Sequence, residues 1–182
     1  MNKGKFIVLS GPSGVGKNTI LDMLVDNSLG IYSVSMTTRK KRKGEVEGRD
    51  YFFVSREVFE DNIKKDNFLE YAIYNDNYYG TLKSFVFDNM NKGTNVLAVL
   101  DVQGALQIEK VFPDAISIFI MPPSFEELEK RLRYRNSDSE EEIERRISIA
   151  KEEIKYKDRY DYNIINDNID KCVEEIEKII LK

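Results

Sequence analysis

A glycine-rich stretch near the N-terminus carries the residue types that bind a chain of phosphates. Residues 11–19 read GPSGVGKNT and fit the spacing G-x-x-x-x-G-K. Glycines let the backbone turn several N–H groups inward onto an anion, and the positive end of a following helix adds to the same point. Lys17 is placed to reach the β- and γ-phosphates of a nucleotide. The stretch therefore predicts a phosphate-binding loop, in preference to a glycine-rich turn with a solvated lysine.

The last position of this motif departs from the usual pattern. A serine or threonine normally stands there, and its hydroxyl ligates the magnesium ion that accompanies the phosphates. Here the residue is Asn18, whose amide oxygen can ligate the metal directly or hold one of its water molecules. Thr19 comes one residue late and is expected to point elsewhere. The departure weakens the metal assignment and leaves the phosphate assignment standing.

Two groups of arginines are candidate sites for an anionic ligand. Arg39 and Arg42 lie in the polar, glycine-punctuated segment 37–50, and the planar fork of arginine suits bidentate phosphate binding. Charge alone does not distinguish this role from a solvated basic loop. The second group is Arg131, Arg135, Arg145 and Arg146. Arg131 and Arg135 are four residues apart and lie on one helix face, where the alternative is a salt-bridged surface.

The composition excludes several kinds of chemistry. The 182 residues include no histidine. This excludes mechanisms that need histidine as a nucleophile, an acid–base group or a metal ligand. A net charge of −4 argues against a protein that coats nucleic acid, and no apolar run is long enough to predict a membrane span. The single Cys172 fits a cytoplasmic protein with a buried rather than a reactive thiol. We also expect no signal peptide, because the first five residues lead directly into a strand.

Apolar and polar periodicity predicts the elements that must position these residues. A strand before the glycine loop and a helix after it supply the context that a phosphate-binding loop needs. The later alternation of strands and helices implies a parallel sheet with helices on both faces, interrupted by a small, mostly β insertion. Strands are predicted at 5–10, 31–35, 51–54, 68–74, 96–100, 115–121 and 162–165. Helices are predicted at 16–27, 55–65, 82–91, 103–112, 124–135 and 169–181, with a long charged helix carrying Ile143, Ile147, Ala150 and Ile154 on one stripe, and a turn at 77–80.

The segments between these elements resemble those of one family. They are Gly44-Glu45, GRDYFFV at 48–54, FLEYA at 68–72, NYYGT at 77–81 and DVQG at 101–104. In this order, from about residue 5 to the C-terminus, they resemble guanylate kinase. The resemblance implies an α/β fold of the P-loop NTPase type, in one domain over residues 1–182, with a parallel sheet flanked by helices. The implied parts are a core at about 1–34, 82–135 and 151–182, a GMP-binding subdomain at about 35–81, and a helical lid at about 136–150.

The resemblance also assigns the GMP contacts, position by position. The phosphate is assigned to Arg39, Arg42, Tyr51 and Tyr79, and the guanine ring to Ser35, Glu70, Thr81 and Asp101. Carboxylates suit the N1–H and 2-amino donors of guanine, and a serine hydroxyl can satisfy its O6. Taken singly, the tyrosines would be interpreted as core residues and the carboxylates as solvated strand ends. Their order along the chain favours the binding site.

The ATP side is assigned in the same way. The ATP contacts are Gly11, Pro12, Ser13, Gly14, Val15, Gly16, Lys17, Asn18, Thr19 and, in a turn near the C-terminus, Asn166. The catalytic residues are Lys17, Arg42, Arg131, Arg135 and Arg146. The last three are lid arginines, which would close over the ATP phosphates and offset the charge on the transferred group.

The implied reaction transfers the γ-phosphoryl group of ATP to GMP, and dGMP is a further candidate acceptor. Mg²⁺ is expected to accompany ATP, although Val99 stands where the family commonly has an acidic residue two positions before Asp101. Two alternatives stay open: a peptide-binding module without chemistry, and a kinase for another nucleoside monophosphate. Lys17 and the lid arginines favour an enzyme. The expected partners are ATP and GMP, with no nucleic acid and no membrane, and the residues do not indicate whether the protein is a monomer or a homo-oligomer.

Overall fold

The computed structural model describes residues 3–74, 76–134 and 140–182. In chain order the elements are β1 (Phe6–Ser10), α1 (Lys17–Asp26), β2 (Ile31–Tyr32), β3 (Met36–Thr37), β4 (Phe52–Phe53), α2 (Arg56–Lys64), β5 (Phe68–Tyr74), β6 (Asn77–Leu82), α3 (Lys83–Asn91), β7 (Val96–Val99), α4 (Val102–Val111), β8 (Ile116–Met121), α5 (Phe125–Tyr134), α6 (Glu140–Ile154), a 3₁₀ helix (Lys157–Arg159), β9 (Tyr162–Ile165) and α7 (Ile169–Ile180). These elements form two sheets and the helices that cover them.

The larger sheet has five parallel strands in the order β2-β7-β1-β8-β9. Its central strand β1 is buried along its whole length. Phe6 and Val8 belong to one apolar cluster, with side chains from α3 and α4, and Ile7 and Leu9 belong to another, with side chains from α1, α5, α6 and α7. A strand covered on both faces needs apolar residues at successive positions. The predicted α/β fold with helices on both faces of a parallel sheet is confirmed.

The smaller sheet has four strands in the order β4-β3-β6-β5. β3 pairs parallel with β4 and antiparallel with β6, and β6 pairs antiparallel with β5. Helix α2 covers one face, where the Phe59 ring stacks on Phe68 at 4.4 Å and on Tyr78 at 4.9 Å between centroids. Ser55 caps this helix by accepting a hydrogen bond from the Val58 N–H at 3.3 Å, as its position before the helix predicted.

The predicted turn at 77–80 is wrong, because these residues belong to strand β6. The chain reverses between Tyr74 and Asn77, where Asp76 has a φ of 59°. Within β6, Tyr78 packs on α2 while Tyr79 lines a cavity on the other side. This alternation has the period of two that defines a strand. Asparagine and tyrosine residues beside Gly80 have the composition of a turn. Antiparallel pairing with β5 nevertheless determines that residues 77–80 are extended.

The predicted strand at 31–35 is too long. Pairing with β7 ends at Tyr32, and the Ser33 N–H then donates to the Leu97 carbonyl at 2.8 Å. The chain leaves the core sheet at this point and joins the smaller sheet at Met36. The apolar alternation in this segment continues across two sheets, which is why it looked like one strand.

Two further expectations concern the last helix and membranes. Cys172 is buried in α7, and burial raises the pKa of its thiol to about 11, so the thiolate is disfavoured near neutral pH. Over residues 3–74, 76–134 and 140–182, none of the helices has the length and apolar character needed to span a bilayer.

Candidate active site

The glycine loop joins β1 to α1 at the carboxyl end of the core sheet. Gly11, Gly14 and Gly16 have φ angles of 135°, 89° and 91°, which glycine adopts far more readily than other residues. Gly11 also lacks room for a side chain, because a Cβ there would lie 2.3 Å from the Ile120 carbonyl oxygen. Helix α1 begins at Lys17 without a side-chain cap. Its first N–H groups can therefore bind an anion held in the loop.

The Lys17 ammonium group is folded back onto this loop. Its Nζ donates to the carbonyl oxygens of Gly11 at 2.5 Å and Pro12 at 2.9 Å. The positive charge therefore lies beside the backbone that would hold the phosphates, as the motif predicts.

Asn166, which directly follows β9, contacts the glycine loop. It is buried, and its Nδ2 donates to the Val15 carbonyl at 2.8 Å. A Cβ on Gly16 would lie 2.9 Å from that nitrogen, so the glycine permits the close approach. The Asn166 carbonyl in turn accepts a hydrogen bond from Arg131 at 3.3 Å. Asn166 thus supports the glycine loop through its hydrogen bond to Val15. The sequence did not indicate this contact.

The end of β7 lies beside the start of the loop. β1 and β7 are parallel neighbours with Leu9 opposite Val99, and the Leu100 N–H donates to the Leu9 carbonyl at 3.0 Å. Asp101 follows immediately and forms the N-cap of α4. Ligands of open α/β sheets bind at this edge, where the carboxyl ends of neighbouring strands meet.

A cavity of about 260 Å³ opens between this edge and the smaller sheet. Five of the eight residues assigned to GMP line it, namely Ser35, Tyr51, Glu70, Tyr79 and Asp101. Thr81 lies behind this wall, and its hydroxyl donates to Glu70 Oε1 at 2.6 Å. Tyr32 also lines the cavity, although the sequence indicated only a strand residue there. The structure therefore brings together the residues assigned to guanine.

Two carboxylates meet in the wall of this cavity. Glu70 is buried, with 6% of its surface exposed, and Asp101 Oδ1 accepts the Gly104 N–H at 2.7 Å. A Cβ on Gly104 would lie 3.2 Å from Glu70 Oε2 and 3.3 Å from Asp101 Oδ1. Only a residue without a side chain leaves both groups undisturbed at these distances. Gly104 therefore allows the two carboxylates to share this space.

The proton affinity of Glu70 differs from that of an ordinary carboxyl. Burial raises its pKa to about 7, the hydrogen bond from Thr81 partly offsets the increase, and the negative charge of Asp101 adds to it. Near neutral pH the Glu70 side chain therefore exchanges between an acceptor-only carboxylate and a carboxylic acid that can also donate.

Arg39 is paired with a neighbouring carboxylate. It donates to Glu45 Oε1 at 2.6 Å and to Oε2 at 3.1 Å, and its guanidinium carbon lies 5.4 Å from the centroid of the Tyr51 ring. The hydrogen bonds that Arg39 donates to Glu45, and then its hydrogen bond with Tyr79, raise the Arg39 pKa. Arg42 is exposed, and its backbone N–H donates to Glu45 Oε2 at 2.7 Å. Arg39, Tyr51 and Tyr79 are therefore adjacent. Glu45 holds the Arg39 guanidinium among them, and the sequence shows this residue only as an acid six positions after Arg39.

Two of the three assigned lid arginines, Arg131 and Arg146, lie on α5 and α6. Arg131 pairs with Glu127 at 3.1 Å and lines an open cavity of about 490 Å³ next to Gly14. Arg146 pairs with Glu142 at 3.6 Å. Arg135 lies outside the described residues. The salt-bridged surface considered from the sequence is thus present, and Arg131 additionally lies beside the glycine loop.

The side chains near Asn18 determine how a metal ion could be held beside the glycine loop. Asn18 is exposed in the first turn of α1 and lines a cleft with Asp22 and Asp50. In the described part of the chain, no group of three or more histidine, cysteine or acidic residues could hold a metal ion. A neutral amide oxygen beside the phosphate loop fits Mg²⁺ that is held mainly by its nucleotide, since Mg²⁺ keeps several waters and accepts oxygen ligands.

The whole chain is similar to proteins of known name. Residues 3–182 match the family model described as guanylate kinase. The chain is 47% identical over 180 residues to a guanylate kinase of Caldanaerobacter subterraneus subsp. tengcongensis, with 98% of this chain and 87% of the relative covered. It is 49% identical over 183 residues to a guanylate kinase of Wolbachia sp. subsp. Brugia malayi, with 100% and 94% covered.

Solved structures show the same similarity. The crystal structure of guanylate kinase from Anaplasma phagocytophilum matches with a TM-score of 0.74 at 37% identity, over 99% of this chain and 86% of that chain. A shikimate kinase from Bacteroides thetaiotaomicron matches with a TM-score of 0.50 at 11% identity, over 98% and 99%. That second similarity extends to the fold alone.

Proposed function

The chain belongs to the guanylate kinase family, and from that premise we propose how its own residues carry out the reaction. The protein is an ATP-dependent nucleoside monophosphate kinase that transfers the γ-phosphoryl group of ATP to GMP, giving ADP and GDP. The resemblance inferred from the motifs is confirmed. Neither alternative, a peptide-binding module or a kinase for another nucleoside monophosphate, receives support from these similarities.

The observation that best supports the site assignment is a pair of carboxylates, the buried Glu70 and the exposed Asp101. Glu70 and Asp101 line a cavity beside the end of β7, next to the strand that leads into the phosphate loop. Guanine presents two donors on one edge, N1–H and the 2-amino group, and an ionised carboxylate pair supplies acceptors for both. Ser35 lines the same cavity and can donate its hydroxyl to O6.

The GMP phosphate is proposed to bind beside Arg39, Tyr51 and Tyr79, with Arg42 at the exposed edge of this group. A guanidinium and two hydroxyls supply charge-assisted and neutral donors to phosphate oxygens. The ATP phosphates lie on the glycine loop under Lys17. Since the loop and the cavity occupy the ends of adjacent strands, the two nucleotides approach each other from neighbouring sites. Holding them in this arrangement lowers the entropic part of the barrier.

Arg131, Arg135 and Arg146 are proposed to neutralise charge on the transferred group. Arg131 already lies beside the loop through its contact with the Asn166 carbonyl. Arginines that act on the transition state contribute by electrostatic stabilisation in a site from which water is excluded. The proposed lid is segment 136–150, and the proposed GMP-binding subdomain is segment 35–81. The proposed core consists of segments 1–34, 82–135 and 151–182.

Mg²⁺ is proposed to enter with ATP, with Asn18 as a direct or water-mediated ligand. When bound, the ion neutralises charge on the phosphate oxygens. Val99 lines the GMP cavity and cannot ligate a metal. The chain therefore leaves most coordination positions to ATP oxygens and water.

Asn18→Ser is expected to change the apparent Mg²⁺ requirement by only about threefold, because a serine replaces one neutral oxygen ligand with another. Activity measured across a Mg²⁺ titration at fixed ATP checks this. Asn91→Ser, the same substitution at an exposed position at the end of α3, serves as the control. A shift of several orders of magnitude in the Mg²⁺ concentration for half-maximal activity would contradict the prediction and make Asn18 an essential direct ligand.

The affinity for GMP should depend on pH through Glu70. The carboxyl must be ionised to accept from guanine, and its pKa in the free protein is raised to about 7. Below that pH, GMP binding has to release a proton, so affinity should fall by about tenfold from pH 8 to pH 6. Calorimetry over this range measures the change.

The GMP phosphate also titrates near this range, with a second pKa of about 6. The Glu70→Gln substitution removes the titrating carboxyl of the protein and leaves the ionisation of the GMP phosphate unchanged. The difference in pH dependence between the parent and this variant therefore reports on Glu70 alone. An identical pH dependence in both would contradict an ionised Glu70 as the guanine acceptor.

The reaction itself is tested by ADP release coupled to GMP addition, with GDP identified as the second product. Release of ADP and formation of GDP in equal amounts are expected. A protein that binds GMP without consuming ATP would instead support the peptide-binding alternative.

A further inference from the structure

The side chain of Gln107 on α4 binds the backbone of β5. Its Oε1 accepts the Tyr71 N–H at 3.2 Å, and its Nε2 donates to the Tyr71 carbonyl at 3.1 Å. A side-chain amide carries the same donor and acceptor as a peptide unit. Gln107 therefore binds Tyr71 as one residue of an adjacent strand would.

This contact occurs on an exposed sheet edge. β5 is the last strand of the order β4-β3-β6-β5, so one side of its backbone has no strand neighbour. An edge strand presents unpaired N–H and C=O groups that other elements can bind. Gln107 satisfies both outward groups of Tyr71, the residue that directly follows Glu70.

Helix α4 also carries Asp101, the second carboxylate of the pair. Asp101 is its N-cap, Gly104 leaves the space for both carboxylates, and Gln107 binds β5. Each of these residues is three positions from the next, and residues three apart are neighbours on a helix surface. One helix therefore carries Asp101 and also holds the strand that carries Glu70.

The strand is held on both sides of Glu70. Before it, Leu69 is buried in the apolar cluster that includes Val102 and Ala105 of α4. After it, Tyr71 is bound by Gln107. The apolar contact holds the strand against the core, and the polar contact determines how far its next segment lies from the helix. Loss of the Gln107 contact would leave the Leu69 contact in place, so the fold should survive.

We propose that Gln107 is a positioning residue for guanine recognition, which sets the distance between Glu70 and Asp101 by binding the Tyr71 backbone to α4. The inference rests on the proposed function of this cavity as the GMP site. Gln107 itself does not line the cavity. It acts on specificity, because two acceptors match the two donors of guanine only when they are correctly spaced.

Gln107→Met tests the proposal, since methionine has a similar length and lacks both hydrogen-bonding groups. The expected result is an increase of about tenfold in KM for GMP, as two hydrogen bonds are lost, with kcat and KM for ATP near parent values. Efficiency with AMP should not change, so the GMP-to-AMP ratio should fall by the same factor. Gln103→Met, an exposed glutamine on the same helix, is the matched control and should retain the parent ratio.

Amide hydrogen exchange gives a readout independent of catalysis. The Tyr71 N–H should exchange about tenfold faster in Gln107→Met than in the parent, because its acceptor is gone. Its rate in Gln103→Met should match the parent. Unchanged protection of Tyr71 in Gln107→Met would overturn the hydrogen-bond assignment.

The outcomes separate the role of Gln107 from the function of the cavity. If the parent prefers GMP but Gln107→Met lowers GMP and AMP efficiencies in parallel, Gln107 supports only the fold and the proposal is overturned. A parent protein without preference for GMP would overturn the guanine assignment of the cavity, and the proposal with it.

Discussion

Lys17→Met is expected to lower the rate of phosphoryl transfer by about 10³-fold or more, while GMP affinity stays within about twofold of the parent. The Lys17 ammonium lies on the glycine loop through its bonds to Gly11 and Pro12. It is therefore positioned to neutralise charge on the ATP phosphates during transfer. The residues that line the GMP cavity come from other segments of the chain. The loss should consequently appear in turnover and not in GMP binding.

Turnover and GMP calorimetry on the same preparation measure the two quantities. Methionine keeps the apolar stem of lysine and removes the charge, so the loop loses two hydrogen bonds along with its cation. Thermal unfolding of the variant checks that the fold persists. Lys178→Met, an exposed position in α7, should leave both turnover and affinity unchanged. Retained turnover in Lys17→Met would exclude the assigned role.

The phosphate loop was predictable from sequence because its determinants are local. Positive φ angles at Gly14 and Gly16 and the start of α1 at Lys17 all follow from glycine spacing and the flanking strand and helix. The core strands were predictable for a similar reason, since burial on both faces requires the continuous apolar runs seen at β1 and β7. The order of motifs then identified the family.

The parts that were wrong or missed depend on contacts between distant residues. The sequence pattern predicts a turn that includes Tyr79, whereas pairing of β6 with β5 makes it a strand residue that faces the cavity. Asn166 reaches Val15 across 151 positions, and Gln107 reaches Tyr71 across 36. Neither residue type nor spacing encodes such a contact, because it exists only after the sheets have assembled.

The parent protein is expected to use GMP with an efficiency on the order of 10⁴-fold above that for AMP. Glu70 and Asp101 offer acceptors in the wall of the cavity. Adenine lacks the 2-amino group and presents an unprotonated N1, which is itself an acceptor. AMP would therefore leave a buried carboxylate facing another acceptor, with the cost of unpaired polar groups. The ratio of kcat/KM values for the two nucleotides measures this preference.

Glu70→Gln should lower GMP efficiency by about 10²-fold and narrow the gap to AMP. Glutamine retains a carbonyl oxygen for the Thr81 hydroxyl, which now donates to Glu70 Oε1 at 2.6 Å. Its amide nitrogen would then take the place of the second carboxylate oxygen and present a donor to the guanine donors. Glu174→Gln, an exposed carboxylate of α7, should leave the ratio unchanged.

The preference should also increase with pH in the parent and stay constant in Glu70→Gln. Because burial raises the Glu70 pKa to about 7, a protonated Glu70 is populated below that pH. A carboxylic acid can donate to adenine N1, so acidification favours AMP while it weakens GMP binding. The GMP-to-AMP efficiency ratio should therefore rise by about tenfold or more from pH 6 to pH 8. Equal use of both nucleotides by the parent at pH 8 would contradict the guanine assignment and favour a general monophosphate kinase.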